Sequence, residues 1–174
     1  MSVHKKIPLK EHTAHYFTFL KSKKVAKMGC TNSTNKGLTK AWDNHFSAFG
    51  KKDLKKIMLD YTEDSEVIVW DTKKNKKTSF KGLKGVKALF TDLFANLKDL
   101  STLDAPLIEV QETAWPASCC GEFPTGMVFL VWECPGCGYD KVTDTFIFCG
   151  DKIMRQNIVV FTNDLVEELK SGCC

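Results

Sequence analysis

YDKVTDTFIFCGDKIMRQNIVVFT, residues 139–162, decides the fold. It reads as two strands rich in Val, Ile, Phe and Thr, and the Gly150-Asp151 pair between them suits the two-residue loop of a right-twisted hairpin. The turn sets the register: Cys149 faces Lys152, Phe148 faces Ile153, Phe146 faces Arg155 and Asp144 faces Asn157. Alternation then puts Val142, Asp144, Phe146, Phe148, Ile153, Arg155, Asn157, Val159 and Phe161 on one face, and Thr143, Thr145, Ile147, Met154, Gln156, Ile158 and Val160 on the other. The first face is apolar apart from a polar island, Asp144 with Asn157 opposite and Arg155 diagonal, which points to a pocket.

Outward from the hairpin, 174 residues at 43% hydrophobic content suffice for one core. The formal charge of +4 comes mostly from an N-terminal arm, whose first 40 residues hold nine Lys and one acid, Glu11. Arg155 is the one arginine among the 25 cationic residues, which disfavours nucleic-acid recognition, where bidentate Arg contacts dominate. A weakly phosphate- or membrane-seeking arm stays open. With no long apolar run and no signal-like start, a cytoplasmic protein with reduced thiols is expected despite its 8 cysteines.

Three regions follow: a basic arm and linker over 1–33, a domain over 34–163 and a tail over 164–174. The arm carries an aromatic patch at 15–20. MGCTNS at 28–33 would be an acylation signal if Met28 were an initiator, and is otherwise a linker. The Cys173-Cys174 ending resembles a prenylation site in a chain with no other GTPase-like feature. Leu38, Ala41, Trp42, His45, Phe46 and Phe49 recur at helical spacing, with Thr34 as N-cap and Gly50 as stop. A short helix over 53–59, a strand over 66–70 and a solvated loop DTKKNKK come next. Val86, Leu89, Phe90, Leu93, Phe94 and Leu97 then mark a helix with one apolar face. Strands at 107–114, 126–133, 140–148 and 153–162 complete an α+β domain, and DLVEELKSGCC is long enough for a terminal helix.

Three stretches carry a family resemblance: KAWDNHFSAFGKKDLKKIMLDYTEDSEVIVWD, FKGLKGVKALFTDLFANL and TDTFIFCGDKIMRQNIVVF. Their order resembles the nuclear transport factor 2-like, or SnoaL-like, superfamily, which implies a cone: a curved antiparallel sheet wrapped around N-terminal helices. Members similar in layout include ketosteroid isomerase, polyketide cyclases, scytalone dehydratase and binding-only proteins. By resemblance to ketosteroid isomerase, its oxyanion-hole tyrosine falls on His45, its oxyanion aspartic acid on Asp144 and its catalytic base on Val69. The base is thus missing, and Asp71 replaces it only if the strand end curls into the cone.

His45 and Asp144 are the candidate catalytic pair, expected to meet inside the cone directly or through one water. Histidine works as acid or base near neutral pH. A satisfied core histidine is the plainer account of the same residues. Trp42, Trp70, Asp71, Phe146, Arg155 and Asn157 are the candidate ligand contacts, with a small hydrophobic molecule as partner and no cofactor or metal. Trp42, Trp70, Trp115 and Trp132 suit stacking on a ligand or simply core packing. Cys134-Pro135-Gly136-Cys137 falls in a turn between strands, away from the helix N-terminus that activates thioredoxin-like thiols. Eight strand residues put it roughly 25 Å from Cys119 and Cys120, too far for a shared zinc.

Two functions are compatible with this chain: an isomerase, cyclase or dehydratase using the His/Asp pair, or a non-enzymatic dimeric module whose cone is filled by side chains. Cavity size separates them, since ligand pockets run to several hundred Å³. Homodimerisation is expected through Ile147, Met154, Ile158 and Val160 on the sheet face away from the pocket.

Overall fold

The computed structural model describes residues 35–112 and 126–163. The arm with its aromatic patch and MGCTNS, Thr34, Trp115, Cys119, Cys120 and the tail with Cys173-Cys174 lie outside the described residues. Three helices, α1 (Asn35–Gly50), α2 (Leu54–Ile57, extended by a 3-10 turn Met58–Asp60) and α3 (Gly82–Asn96), accompany six strands. These are β1 (Glu66–Asp71), β2 (Lys76–Lys81), β3 (Asp104–Glu112), β4 (Gly126–Cys134), β5 (Tyr139–Cys149) and β6 (Lys152–Thr162). The sheet order is β2-β1-β6-β5-β4-β3, antiparallel except for the β1–β6 pair. The sheet is curved and unclosed, and the helices fill its concave side, so the architecture is the α+β cone.

The helical stripes read from sequence are the ones buried. Leu38, Ala41 and Trp42 of α1 and Val86, Leu89, Phe90 and Leu93 of α3 pack on Val128, Leu130, Trp132, Phe146 and Phe148. β2 stands where a solvated loop was expected to run on toward α3. It is an edge strand in which only Phe80 is buried, and its lysines face water as edge strands tolerate, so no apolar alternation announces it.

α3 follows β2 with no linker, and Gly82 makes that corner. Its φ is +64°, its N–H bonds to the Ser65 carbonyl at 2.8 Å, and an added Cβ would lie 2.8 Å from Glu63 Oε2 and 3.1 Å from the Glu63 carbonyl. Gly150 has a similar φ, +60°, but nothing within 4 Å of an added Cβ. Ala at position 82 therefore adds to the left-handed penalty of ~1–2 kcal/mol a tight approach to the Glu63 carbonyl and displacement of the Glu63 carboxylate that accepts the Leu83 N–H, whereas Ala at 150 meets the penalty alone. Thermal denaturation is expected to show a Tm drop for Gly82→Ala at least twice that for Gly150→Ala; equal drops would mean that the Glu63 contact yields freely.

The hairpin turn is as expected, with Cys149 opposite Lys152 and Phe148 opposite Ile153. Beyond it the register changes, because Ile147 pairs with Arg155 and Met154 is left as a bulge. One extra residue reverses every side chain that follows. Gln156, Ile158 and Val160 consequently point into the cone and are buried, while Arg155, Asn157, Val159 and Phe161 turn outward. The polar island of Asn157 and Arg155 beside Asp144 is corrected accordingly. An inward Arg155 would bury a guanidinium among aromatic rings; outside, it bonds Glu66 Oε2 at 2.9 Å and Asn157 Oδ1 at 3.2 Å.

Candidate functional site

Between the helices and the concave face lies an apolar cavity of about 50 Å³, whose lining includes Trp42, His45, Phe49, Trp132, Tyr139, Asp144, Phe146 and Gln156. Its walls follow from two periods. Helical spacing turns Trp42, His45 and Phe49 of α1 inward, and strand alternation does the same for Trp132 of β4 and for Asp144 and Phe146 of β5. The rings interlock: Trp42 meets Phe146 edge-on at 5.3 Å, Phe49 meets Trp132 at 5.5 Å, and Trp132 tilts on Tyr139 at 5.4 Å.

Asp144 is 3% exposed, as is Gln156. Trp132 Nε1–H donates to Asp144 Oδ2 at 2.7 Å and Gln156 Nε2–H to Oδ1 at 2.8 Å. The Tyr61 hydroxyl donates in turn to Gln156 Oε1 at 2.5 Å. Burial pushes the Asp144 carboxyl up to about 6, against the lowering effect of the Gln156 and Trp132 bonds and of nearby His45. Burial, then the charges of Asp144 and Asp60, hold the Tyr61 hydroxyl well above its ordinary range, so it stays a neutral donor.

His45 belongs to a second polar group. Its Nδ1 is 3.4 Å from Asp60 Oδ2, both residues being 3% exposed, and Asp60 Oδ1 accepts from Asn44 Nδ2 at 2.7 Å. The imidazole is gripped edge-on by Phe146 at 4.9 Å, with Tyr61 and Phe90 each at 5.9 Å. Of the expected contact between His45 and Asp144, the direct hydrogen bond is not formed. Each has its own partners, and the two share the cavity wall and an electrostatic coupling.

Of the other expected contacts, Trp42 and Phe146 line the cavity. Trp70 is 39% exposed on the outer face, where Arg155 and Asn157 also stand. Asp71 does not curl inward: its Oδ1 accepts the Lys74 N–H at 3.1 Å and closes the β1–β2 turn. Asp60, Tyr61 and Gln156 were missed. Gln156 was hidden by the bulge, and the Asp60-Tyr61 pair by lying at a helix end, where acidic and aromatic residues carry no periodic signal.

Neither a family model nor a curated protein sequence matches the chain. The fold is similar to that of solved structures described as NTF2-like, ketosteroid isomerase-like or steroid delta-isomerase. A steroid delta-isomerase from Pseudomonas aeruginosa superposes with a TM-score of 0.50 at 13% identity, covering 80% of this chain and 90% of that one. A ketosteroid isomerase-like protein from Erwinia carotovora atroseptica gives 0.45 at 13% identity, with 74% and 99% covered. An NTF2-like protein of unknown function from Shewanella baltica gives 0.46 at 13%, with 76% and 100% covered. At these identities the likeness concerns the fold alone. No helix among the described residues is long and apolar enough to cross a membrane.

Proposed function

We propose that the cone binds a compact, largely apolar molecule carrying one carbonyl or hydroxyl oxygen, with proton transfer on that oxygen or its neighbouring carbon as its reaction class. The observation that carries this reading is Asp144: a buried carboxyl in a largely apolar wall, titrating at about 6. Two neutral donors occupy one position on each of its oxygens, which leaves lone pairs to take a proton from a guest and, when protonated, a hydrogen to give to one. His45, backed by Asp60, faces the same space as a second acid or base. The isomerase name borne by one structural neighbour fits this reaction class. Its steroid does not fit this chain, because a cavity of about 50 Å³, at ~10–15 Å³ for each water-sized group, has room for only a handful of heavy atoms.

Acetone and propan-2-ol, a compact ketone and its alcohol, are suitable probes. Titration calorimetry is expected to show binding to the wild type, lost in Asp144→Asn and in His45→Phe while both variants stay folded. Binding that survives both substitutions would reject the site, and so would its absence in the wild type together with no small molecule in native mass spectra. Those results would favour the second reading, a filled cone serving as an interaction module, for which the small cavity speaks.

Self-association belongs to either reading, on a different set of residues from the one expected. Ile158 and Val160 are inside the cone, leaving only Ile147 and Met154 of the expected four outside it. The outer face carries instead a registered row across five strands, Trp70, Val159, Thr143, Val131 and Leu107, flanked by Phe161, which is 48% exposed. We propose that a second copy of the chain covers it in a two-fold dimer. Light scattering at micromolar concentration is expected to give twice the chain mass for the wild type and the single chain mass for Phe161→Glu; a monomeric wild type would remove the proposal.

A further inference from the structure

Cys134 and Cys137 bracket a single 3-10 turn, Pro135–Cys137, closed by Gly138 at φ +89°. Both thiols are buried and free, and both donate to one acceptor, the Asp99 carbonyl, at 3.4 Å from Cys134 Sγ and 2.8 Å from Cys137 Sγ. The two thiols are also close enough to interact electrostatically with each other. Thr102 Oγ1 lies 3.5 Å from Cys134 Sγ and accepts the Gly136 N–H at 3.0 Å. This cluster fastens the 3-10 turn Leu100–Thr102 to the β4–β5 turn, beside the cavity: Leu103 lies in the lining, as do Trp132 and Tyr139, two residues outside each cysteine.

We propose that Cys134 and Cys137 are a dithiol–disulfide pair whose oxidation releases the Asp99–Leu103 segment from the cavity wall. The oxidant is a small-molecule disulfide of the glutathione class. One cysteine loses its proton to solvent and attacks a sulfur of that disulfide, whose other half departs as a thiolate. The second cysteine, losing its own proton, then attacks the protein sulfur of the mixed disulfide and expels the remaining half. Two cysteine S–H bonds and one S–S bond are broken, one protein S–S bond is made, two small thiols leave, and two electrons pass to the oxidant. The structural consequence follows directly. A disulfide carries no hydrogen, so the Asp99 carbonyl loses both of its thiol donors at once.

Burial, the largest cause, pushes the Cys134 thiol up to about 11. That slows attack by this thiol and makes it an equally poor leaving group, so the closed form reopens slowly. A short turn that already brings the thiols together needs no large movement to close, as disulfide geometry requires.

The full chain, equilibrated for a day with glutathione disulfide and then with dithiothreitol, provides the test. Peptide mass spectrometry after alkylation is expected to find Cys134 and Cys137 linked to each other in the oxidised sample and both alkylated in the reduced one. Amide exchange at Leu103, whose N–H bonds the Leu100 carbonyl, is expected to rise about tenfold on oxidation, as the loss of roughly one net hydrogen bond implies. Both measurements use the wild type, so a variant that misfolds cannot confound them. Two thiols that stay fully alkylatable after oxidation would overturn the proposal. A linked pair with unchanged exchange at Leu103 would overturn the release.

Discussion

Asn in place of Asp144 is expected to make the protein more stable than the wild type at pH 7.5, by about 3 kcal/mol, and equally stable at pH 4. The folded Asp144 carboxyl titrates at about 6 against an ordinary 3.8, a rise driven first by burial. An acid with a raised folded value has its stability contribution fully present below the unfolded value and loses it as pH climbs through the folded one. The loss therefore develops between pH 4 and pH 6, and at ~1.4 kcal/mol per pK unit it sums to about 3 kcal/mol. Glu66 and Asp99 titrate below their ordinary values, the first mainly through its Ser79 hydrogen bond and the second through its Ser101 bonds, and so favour the fold as pH rises. The difference between variant and wild type cancels them. Asn is a fair probe because the network can absorb it: its oxygen accepts from Trp132, its amide donates to a flipped Gln156, and the Tyr61 hydroxyl changes from donor to acceptor. Urea denaturation at pH 4, 5, 6 and 7.5 supplies the measurement, and parallel curves would show that Asp144 ionises as freely as in water. A gain in stability accompanied by loss of probe binding is the signature of a carboxyl retained for function.

Trp132→Phe is expected to destabilise the fold at pH 7.5 by about 3 kcal/mol and to do so less at pH 4. Among the described residues the indole N–H is the one donor to Asp144 Oδ2, and a hydrogen bond to a buried charged group contributes roughly 1.5–3 kcal/mol. The smaller ring also opens space beside Phe49 and Tyr139, which Trp132 touches. The two contributions separate by pH, because only the first depends on ionised Asp144. A double-mutant cycle with Asp144→Asn is expected to give a coupling of at least ~1 kcal/mol at pH 7.5. Strict additivity would mean that packing alone holds Trp132 in place. Trp132 also leads directly into the Cys134–Cys137 turn, so the indole joins the carboxyl to the cluster beside Leu103.

The sequence by itself determined the hairpin turn, the inward faces of the helices and the inward aim of Asp144. Gly150-Asp151 fixes a two-residue loop locally, and periods of 3.6 and 2 sort α1, α3 and β5 into wet and dry sides with no knowledge of neighbours. His45 in the stripe of Trp42 and Phe49 was legible for the same reason. Only the tertiary structure decided the partners. The bulge at Met154 leaves no local mark. It arises because Gln156 finds Asp144 and Tyr61 inside while Arg155 finds Glu66 outside, and those partners come from β5, the segment after α2, and β1. The same holds for His45, which was free to meet either carboxylate by pattern. It faces Asp60 because α2 and its 3-10 extension pack on α1, with Asn44 holding the Asp60 carboxylate and the Lys56 carbonyl together. β2 was illegible because an edge strand buries a single residue, and one buried Phe80 among lysines has no period. Periodicity specifies which side of an element is dry; which polar group meets which across the dry space is set by long-range packing.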